Sequence, residues 1–128
     1  MDRRAHALTP REVVQGQLDA YNARDIDTFM GFWAEDAEML SFPSEVLARG
    51  TVEIRARHVA RFKEPNLFGE LVNRIALGTL VIDQEIVTRT FSEGTGQVDV
   101  VAIYEVDDGK IRRAWFKMGV PVLDGHPG

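Results

Sequence analysis

The sequence predicts an α+β fold in which about three N-terminal helices pack in the concave face of a curved, mainly antiparallel sheet. Three observations carry this expectation. Apolar residues recur at helical spacing in the first half of the chain, and from Glu70 onward the period changes to two. The period-two runs are joined by turn-forming residues, above all Asp107-Asp108-Gly109.

Thr9-Pro10-Arg11-Glu12 opens the first helix: Thr9 can cap, Pro10 suits the first helical position, and Glu12 can complete a capping box. The helix runs to about Arg24, with an apolar stripe of Val13, Val14, Leu18 and Tyr21 into which Gln17 also falls. Asp25 caps a second helix whose bulky face is Ile26, Phe29, Met30, Phe32 and Trp33, and Glu35 and Asp36 end it. Ala37 to Phe42 reads as a short strand stopped by Pro43 and Ser44, followed by a loop to Gly50. Thr51 caps a third helix of about three turns. On it Ile54, His58 and Phe62 recur every four residues, while Arg55, Arg57, Arg61 and Lys63 point elsewhere as a solvated face, with a phosphate or acidic partner as the sharper alternative. Strands follow at Glu70–Leu77, Leu80–Thr90, Gln97–Val106 and Lys110–Met118, with turns at Gly78-Thr79, Ser92 to Gly96 and Asp107 to Gly109.

Composition bounds the function. With 128 residues, 45% of them hydrophobic and 27% charged, the chain reads as one domain with an ordered core over about 9–119 and tails at both ends. A net charge of −5 argues against a nucleic-acid partner, because phosphate neutralisation needs a basic surface. No apolar run is long enough to cross a bilayer, and the expected location is cytoplasmic. Cysteine is absent, and of the three histidines His6 and His126 lie in the tails, so no metal site and no cofactor are expected.

The Asn22-Ala23-Arg24-Asp25-Ile26-Asp27 junction, Phe32-Trp33-Ala34-Glu35-Asp36-Ala37, the helix from Gly50 through Ile54, and the terminal Asp108-Gly109-Lys110-Ile111 hairpin occur in a telling order. Over nearly the whole chain this resembles the cone-shaped superfamily of nuclear transport factor 2, ketosteroid isomerase and the SnoaL-like polyketide cyclases. The resemblance implies a conical pocket roofed by helices, and homodimers packed through the outer sheet face. It does not carry over the steroid isomerase machinery. That enzyme's general-base aspartate corresponds to Ser41, its oxyanion-hole tyrosine to Gln17 and its protonated aspartate to Val101, so standard steroid isomerisation is not expected.

By the same comparison Gln97, Asp99, Val101 and Ile103 face the cavity, which makes Asp99 the candidate general base, with a solvated aspartate at the rim as the plain alternative. His58 corresponds to a tyrosine of the isomerase pocket, and its helical spacing also turns it inward. It is the second catalytic candidate, against a core histidine bonded to a carbonyl. Placing the less charged faces inside puts Ile82, Gln84 and Ile86 in the cavity with Ala114, Phe116 and Met118, and sends Asp83 and Glu85 outward to meet Arg113 or Lys117 at a dimer interface. The expected ligand-binding set is Gln17, Tyr21, Trp33, Ser41, Phe62, Gln84, Val101, Phe116 and Met118. The functional expectation is a pocket for a small apolar, oxygen-bearing molecule, in its catalytic form a proton-transfer isomerase, cyclase or dehydratase. The alternative is a non-catalytic ligand-binding or dimerisation module.

Overall fold

The computed structural model describes residues 8–124; His6 and His126 lie outside them. Helix α1 spans Pro10–Ala23 and α2 Ile26–Met30, followed by strands β1 (Trp33–Ser41) and β2 (Glu45–Arg49) and helix α3 (Gly50–Arg61). Four long strands come next, β3 (Phe68–Leu77), β4 (Leu80–Phe91), β5 (Gly94–Asp107) and β6 (Lys110–Met118), and then the short β7 (Val122–Leu123). One sheet runs in the order β2-β1-β6-β5-β4-β3, with β7 paired to β5. Every pairing is antiparallel except β1 with β6. This is the expected α+β cone, with three helices on a curved and mostly antiparallel sheet. Among the described residues no helix is long and apolar enough to cross a membrane.

The start of α1 follows its sequence: the Thr9 hydroxyl accepts from the Glu12 amide at 3.2 Å, and the Glu12 carboxylate accepts from the Thr9 amide at 2.8 Å. Arg24 ends the helix in the left-handed conformation. Its guanidinium then donates to the carbonyls of Glu64 and Pro65, tying the helix end to the loop before β3. Asn22 docks the same end on the sheet, donating to the Gly69 carbonyl at 2.9 Å and accepting from the Gly69 amide at 2.7 Å. Gly16 is a close approach: a Cβ there would fall 2.4 Å from the Phe32 ring, so its hydrogen lets that aromatic lie against the helix.

Several boundaries differ from expectation, among them β5, which begins at Gly94 within the segment expected as a turn, and β7, which lies in the expected tail. The second helix stops at Met30, and Phe32 through Asp36 lead into and form β1, because the carbonyl of Phe32 accepts from Ile111 and Trp33 pairs in register with it on β6. The segment expected as a loop contains β2, which pairs back on β1. Helix α3 begins at Gly50 without a side-chain cap; instead the Glu53 carboxylate accepts from the Arg49 amide. The Asp108-Gly109 turn is as expected, both residues having positive φ (53° and 75°), which matches the twist of β5 and β6.

The main core gathers Val13, Val14, Phe29, Trp33, Met39 and Ile54 with Val81, Ala102, Tyr104 and Ile111. Charge is buried beside it. Asp83 is fully buried and takes Arg74 as a fork, at 2.7 Å from Nε and 2.9 Å from Nη2, while Arg74 Nη1 donates to Gln15 Oε1 at 2.9 Å. Every side of the pair is satisfied, so its desolvation cost is offset. Removing one partner strands the other: Asp83→Leu is expected to lose about 3–5 kcal/mol in urea denaturation. The double variant Arg74→Met/Asp83→Leu should recover most of that loss, and a double variant as unstable as the single would show that the pair is not the source.

Candidate functional site

A cavity of about 120 Å³ lies between the helices and the inner face of the sheet. Its aromatic and aliphatic wall comes from every layer: Tyr21 of α1, Phe29 of α2, Trp33 and Met39 of β1, Val98 and Val100 of β5, Phe116 and Met118 of β6. Its polar lining is Gln17, His58, Glu85 and Tyr104 together with Arg57, Arg61 and Arg89.

Gln17, Tyr21, Trp33, Phe116, Met118 and His58, expected in the pocket, all line this cavity. Phe62 lies behind the lining and supports it, its ring 5.5 Å from Tyr21, 5.6 Å from Phe29 and 5.9 Å from His58. Ser41 sits half-buried at the end of β1, paired with Glu45 and Phe116, and Met39 reaches the cavity in its place.

Asp99, Val101 and Gln84 are corrected by the structure: all three are exposed on the outer sheet face. On β5 the buried residues are Val98, Val100, Ala102 and Tyr104, and on β4 they are Val81, Asp83, Glu85 and Val87. Both strands are therefore turned over relative to expectation. The cause is burial of the apolar face of β5: Val98, Val100, Ala102 and Tyr104 go inside, and because Glu85 opposes Val100 and Asp83 opposes Ala102 the two acids share that face. Asp83 and Glu85 consequently cannot meet Arg113 or Lys117. Arg113 pairs with Glu38 at 3.2 Å and Glu105 at 3.5 Å instead. Arg57 and Arg61, expected on a solvated face, line the cavity.

Glu85 is the polar group that the sequence reading sent to the wrong side. Its Oε2 is buried without a hydrogen-bond partner among the described residues. Burial, reinforced by the charge of Asp83 and only partly opposed by Arg74, pushes its carboxyl up to about 7. The signal was present in the alternation of β5: Val98, Val100, Ala102, Tyr104 and Val106 form an uninterrupted apolar face. The antiparallel hairpin then assigns Glu85 to that side.

His58 is perturbed in the opposite sense. Its Nδ1–H donates to the Ile54 carbonyl at 2.9 Å, which leaves Nε2 as an acceptor. Burial lowers its pKa to about 4 against the raising effect of that carbonyl, with Arg61 and Arg57 adding repulsion, so the ring is neutral at physiological pH. The Tyr104 hydroxyl accepts from Gln17 Nε2 at 3.3 Å, and its own proton has no acceptor among the described residues. Burial first, and then the charges of Glu85 and Asp83, raise its pKa well above the usual range, so it remains a neutral donor. Trp33 Nε1–H is buried and unpartnered as well. The cavity thus combines two neutral donors, a neutral imidazole acceptor and a carboxyl that changes charge near neutrality. Among the described residues no cluster of three or more His, Asp or Glu side chains is arranged to hold a metal ion.

A helix-roofed cone with such a lining defines a pocket protein of the nuclear-transport-factor-2-like superfamily. The sequence model of the SnoaL-like domain matches residues 14–114, and the chain belongs to that family. An uncharacterized cystatin-fold protein from Novosphingobium aromaticivorans is similar at 29% identity and a TM-score of 0.80, covering 86% of this chain and 98% of its own. Two more distant structures share the fold. An LEH-like epoxide hydrolase of M. tuberculosis has 18% identity and a TM-score of 0.76, covering 86% of this chain and 82% of its own. IdmH of Streptomyces antibioticus, a candidate polyketide cyclase, has 18% identity and a TM-score of 0.73, covering 87% and 92%. No curated protein sequence is significantly similar.

Glu85 and His58 make opposite demands on pH. Glu85 stays protonated in the folded protein up to about pH 7 but ionises above 4.5 when unfolded, so its contribution to stability is complete below 4.5 and lost as pH rises to 7. His58 stays neutral in the folded protein down to about 4 but takes up a proton below 6.5 when unfolded, so its contribution is complete above 6.5 and lost as pH falls to 4. Each effect is on the order of 3 kcal/mol. In urea denaturation, Glu85→Gln should gain on the wild type as pH rises from 4.5 to 7, and His58→Phe should gain as pH falls from 6.5 to 4. Parallel pH profiles for wild type and variants would contradict both assignments.

Proposed function

We propose that this SnoaL-like protein is a proton-transfer enzyme acting on a small, largely apolar molecule that carries an oxygen function, with Glu85 as the general acid/base. One observation carries the reading: Glu85 is a buried, unpartnered carboxyl poised near neutral pH in the lining of an aromatic cavity. Its ionised form takes a proton from the carbon adjacent to the ligand carbonyl, leaving an enolate, and its acid form returns a proton to the isomerised carbon skeleton. Tyr104 supplies an O–H donor and Trp33 an N–H donor for the charge that develops on the carbonyl oxygen. Gln17 is a positioning residue: both contacts of its amide nitrogen are internal, to the Val14 carbonyl and to Tyr104. His58 Nε2 accepts a hydrogen bond from a hydroxyl of the ligand. The size of the cavity suits a ligand of about one ring, since a cavity of roughly 150 Å³ accepts benzene. The epoxide hydrolase and candidate polyketide cyclase among its structural neighbours are compatible with chemistry at an oxygen-bearing carbon.

The test is deuterium exchange next to the carbonyl of a single-ring ketone in D₂O, followed by NMR. Wild type should accelerate exchange with a rate that rises through about pH 7, and Glu85→Gln should lose on the order of 10²–10⁴ of it while retaining ketone affinity. Full exchange in Glu85→Gln would remove Glu85 from the role. Ketone binding without exchange in the wild type would favour the non-catalytic binding module.

Self-association through the outer sheet face belongs to the same proposal. There Ile75, Ile82, Ile103 and Trp115 lie side by side across β3, β4, β5 and β6, an apolar row in successive register. Sedimentation should give a dimer that Ile103→Asp converts to a monomer; a wild-type monomer at all concentrations would overturn this part.

A further inference from the structure

Arg57 and Arg61 stand one turn apart on α3, and Arg89 reaches the same cavity from β4. One carboxylate answers these three guanidinium groups. Glu64 takes Arg89 as a fork, with contacts of 2.9 and 2.7 Å from Nε and Nη2, and accepts from the Thr90 amide at 3.1 Å. It lies 3.8 Å from Arg61 Nε. Glu64 is therefore committed to Arg89 and the start of the β4–β5 turn. Arg57 has no ion-pair partner among the described residues, and the charges it faces are those of Arg61 and Arg89, with the Tyr21 hydroxyl beside them. Its own charge is disfavoured first by partial burial and then by these like charges.

A half-buried, unpaired guanidinium facing two others is unfavourable in the empty protein and becomes favourable when an oxyanion arrives, because the guanidinium fork matches carboxylate and phosphate oxygens. We propose that Arg57, together with Arg61 and Arg89, forms an anion site in the cavity wall that binds a carboxylate or phosphate group of the ligand. This rests on the reading of the cavity as a small-molecule site and narrows the substrate class to an amphipathic molecule: an apolar body about one ring in size with an oxyanion at one end. Tyr21, Glu85, Val87, Val98 and Phe116 line the same cavity as the three arginines, so one ligand can meet both the anion site and Glu85.

Calorimetric titration of wild-type protein with benzoate, phenyl phosphate and benzyl alcohol tests this, at about 50 and 300 mM salt. At least one anionic ligand should bind roughly tenfold or more tightly than benzyl alcohol, with an advantage that shrinks at high salt; the two anionic arms show whether carboxylate or phosphate is preferred. Arg57→Gln should reduce that ligand to the level of benzyl alcohol without changing benzyl alcohol itself. Arg57→Met, which keeps the aliphatic stem, serves as a second variant, and thermal melts confirm that each is folded. Equal binding of all three ligands by wild type, or an anion advantage that survives both variants, overturns the anion site while the cavity reading stands. If none of the three binds, the cavity reading fails, and inorganic phosphate alone decides the anion site. A phosphate-induced NMR shift of the arginine Nε–H signals that is lost in Arg57→Gln upholds it, and no such shift overturns it.

Discussion

The pairing of β4 with β5 runs from Leu80 opposite Glu105 to Phe91 opposite Gly94 without a bulge. In an antiparallel ladder, that continuity commits every second side chain on both strands at once. The apolar run of β5 goes to the interior because burying Val98, Val100 and Tyr104 removes the most hydrocarbon from water. Asp83 and Glu85 are then carried inside with it, whatever their own preference for solvent. The rest of the interior accommodates these two acids, and it does so in different ways.

Asp83 is neutralised by Arg74, which reaches across from β3 and is steadied by Gln15 of α1. The pair knits the first helix to the sheet where the roof of the cone meets its wall. Glu85, two residues on, faces the cavity and receives no such partner. The same low-dielectric surroundings that make Asp83 dependent on Arg74 leave Glu85 close to balance between its charged and neutral forms. The two neighbouring acids on one strand are thus distinguished by whether a guanidinium pairs with them.

Positive charge is gathered in the same cavity lining. Arg57 and Arg61 come from α3, Arg89 from β4, and Glu64 holds only part of that charge. His58 lies on the same helix as two of these arginines and is kept neutral by burial and by their field. The cavity lining therefore combines three guanidinium groups, a carboxyl that titrates near neutrality and several aromatic rings. Such an interior suits a ligand with unlike ends better than a uniformly apolar one.

Much of this architecture was legible in the sequence. The capping box at Thr9, the Asp108-Gly109 turn and the period-two runs are local signals, and local signals determine where elements begin, end and reverse. The inward turn of Gln17 and Tyr21, and of His58, followed from helical spacing alone. The arginines were misjudged because a helix four turns long at most has only a narrow inner face, and long side chains such as Arg57 and Arg61 reach the cavity from its margin. The face of β4 was misjudged because charge was taken as a guide to exposure, and no residue near Asp83 in the sequence announces Arg74 as its partner. By itself the sequence determined three helices, the four long strands of the meander and their order, since these depend on periodicity and turn chemistry within a few residues, whereas β2 and β7 are short strands defined only by pairing to β1 and β5. Only the tertiary structure decided which acid is paired and which is free, because that depends on charges from β3, β4 and α3 meeting in space where water is excluded.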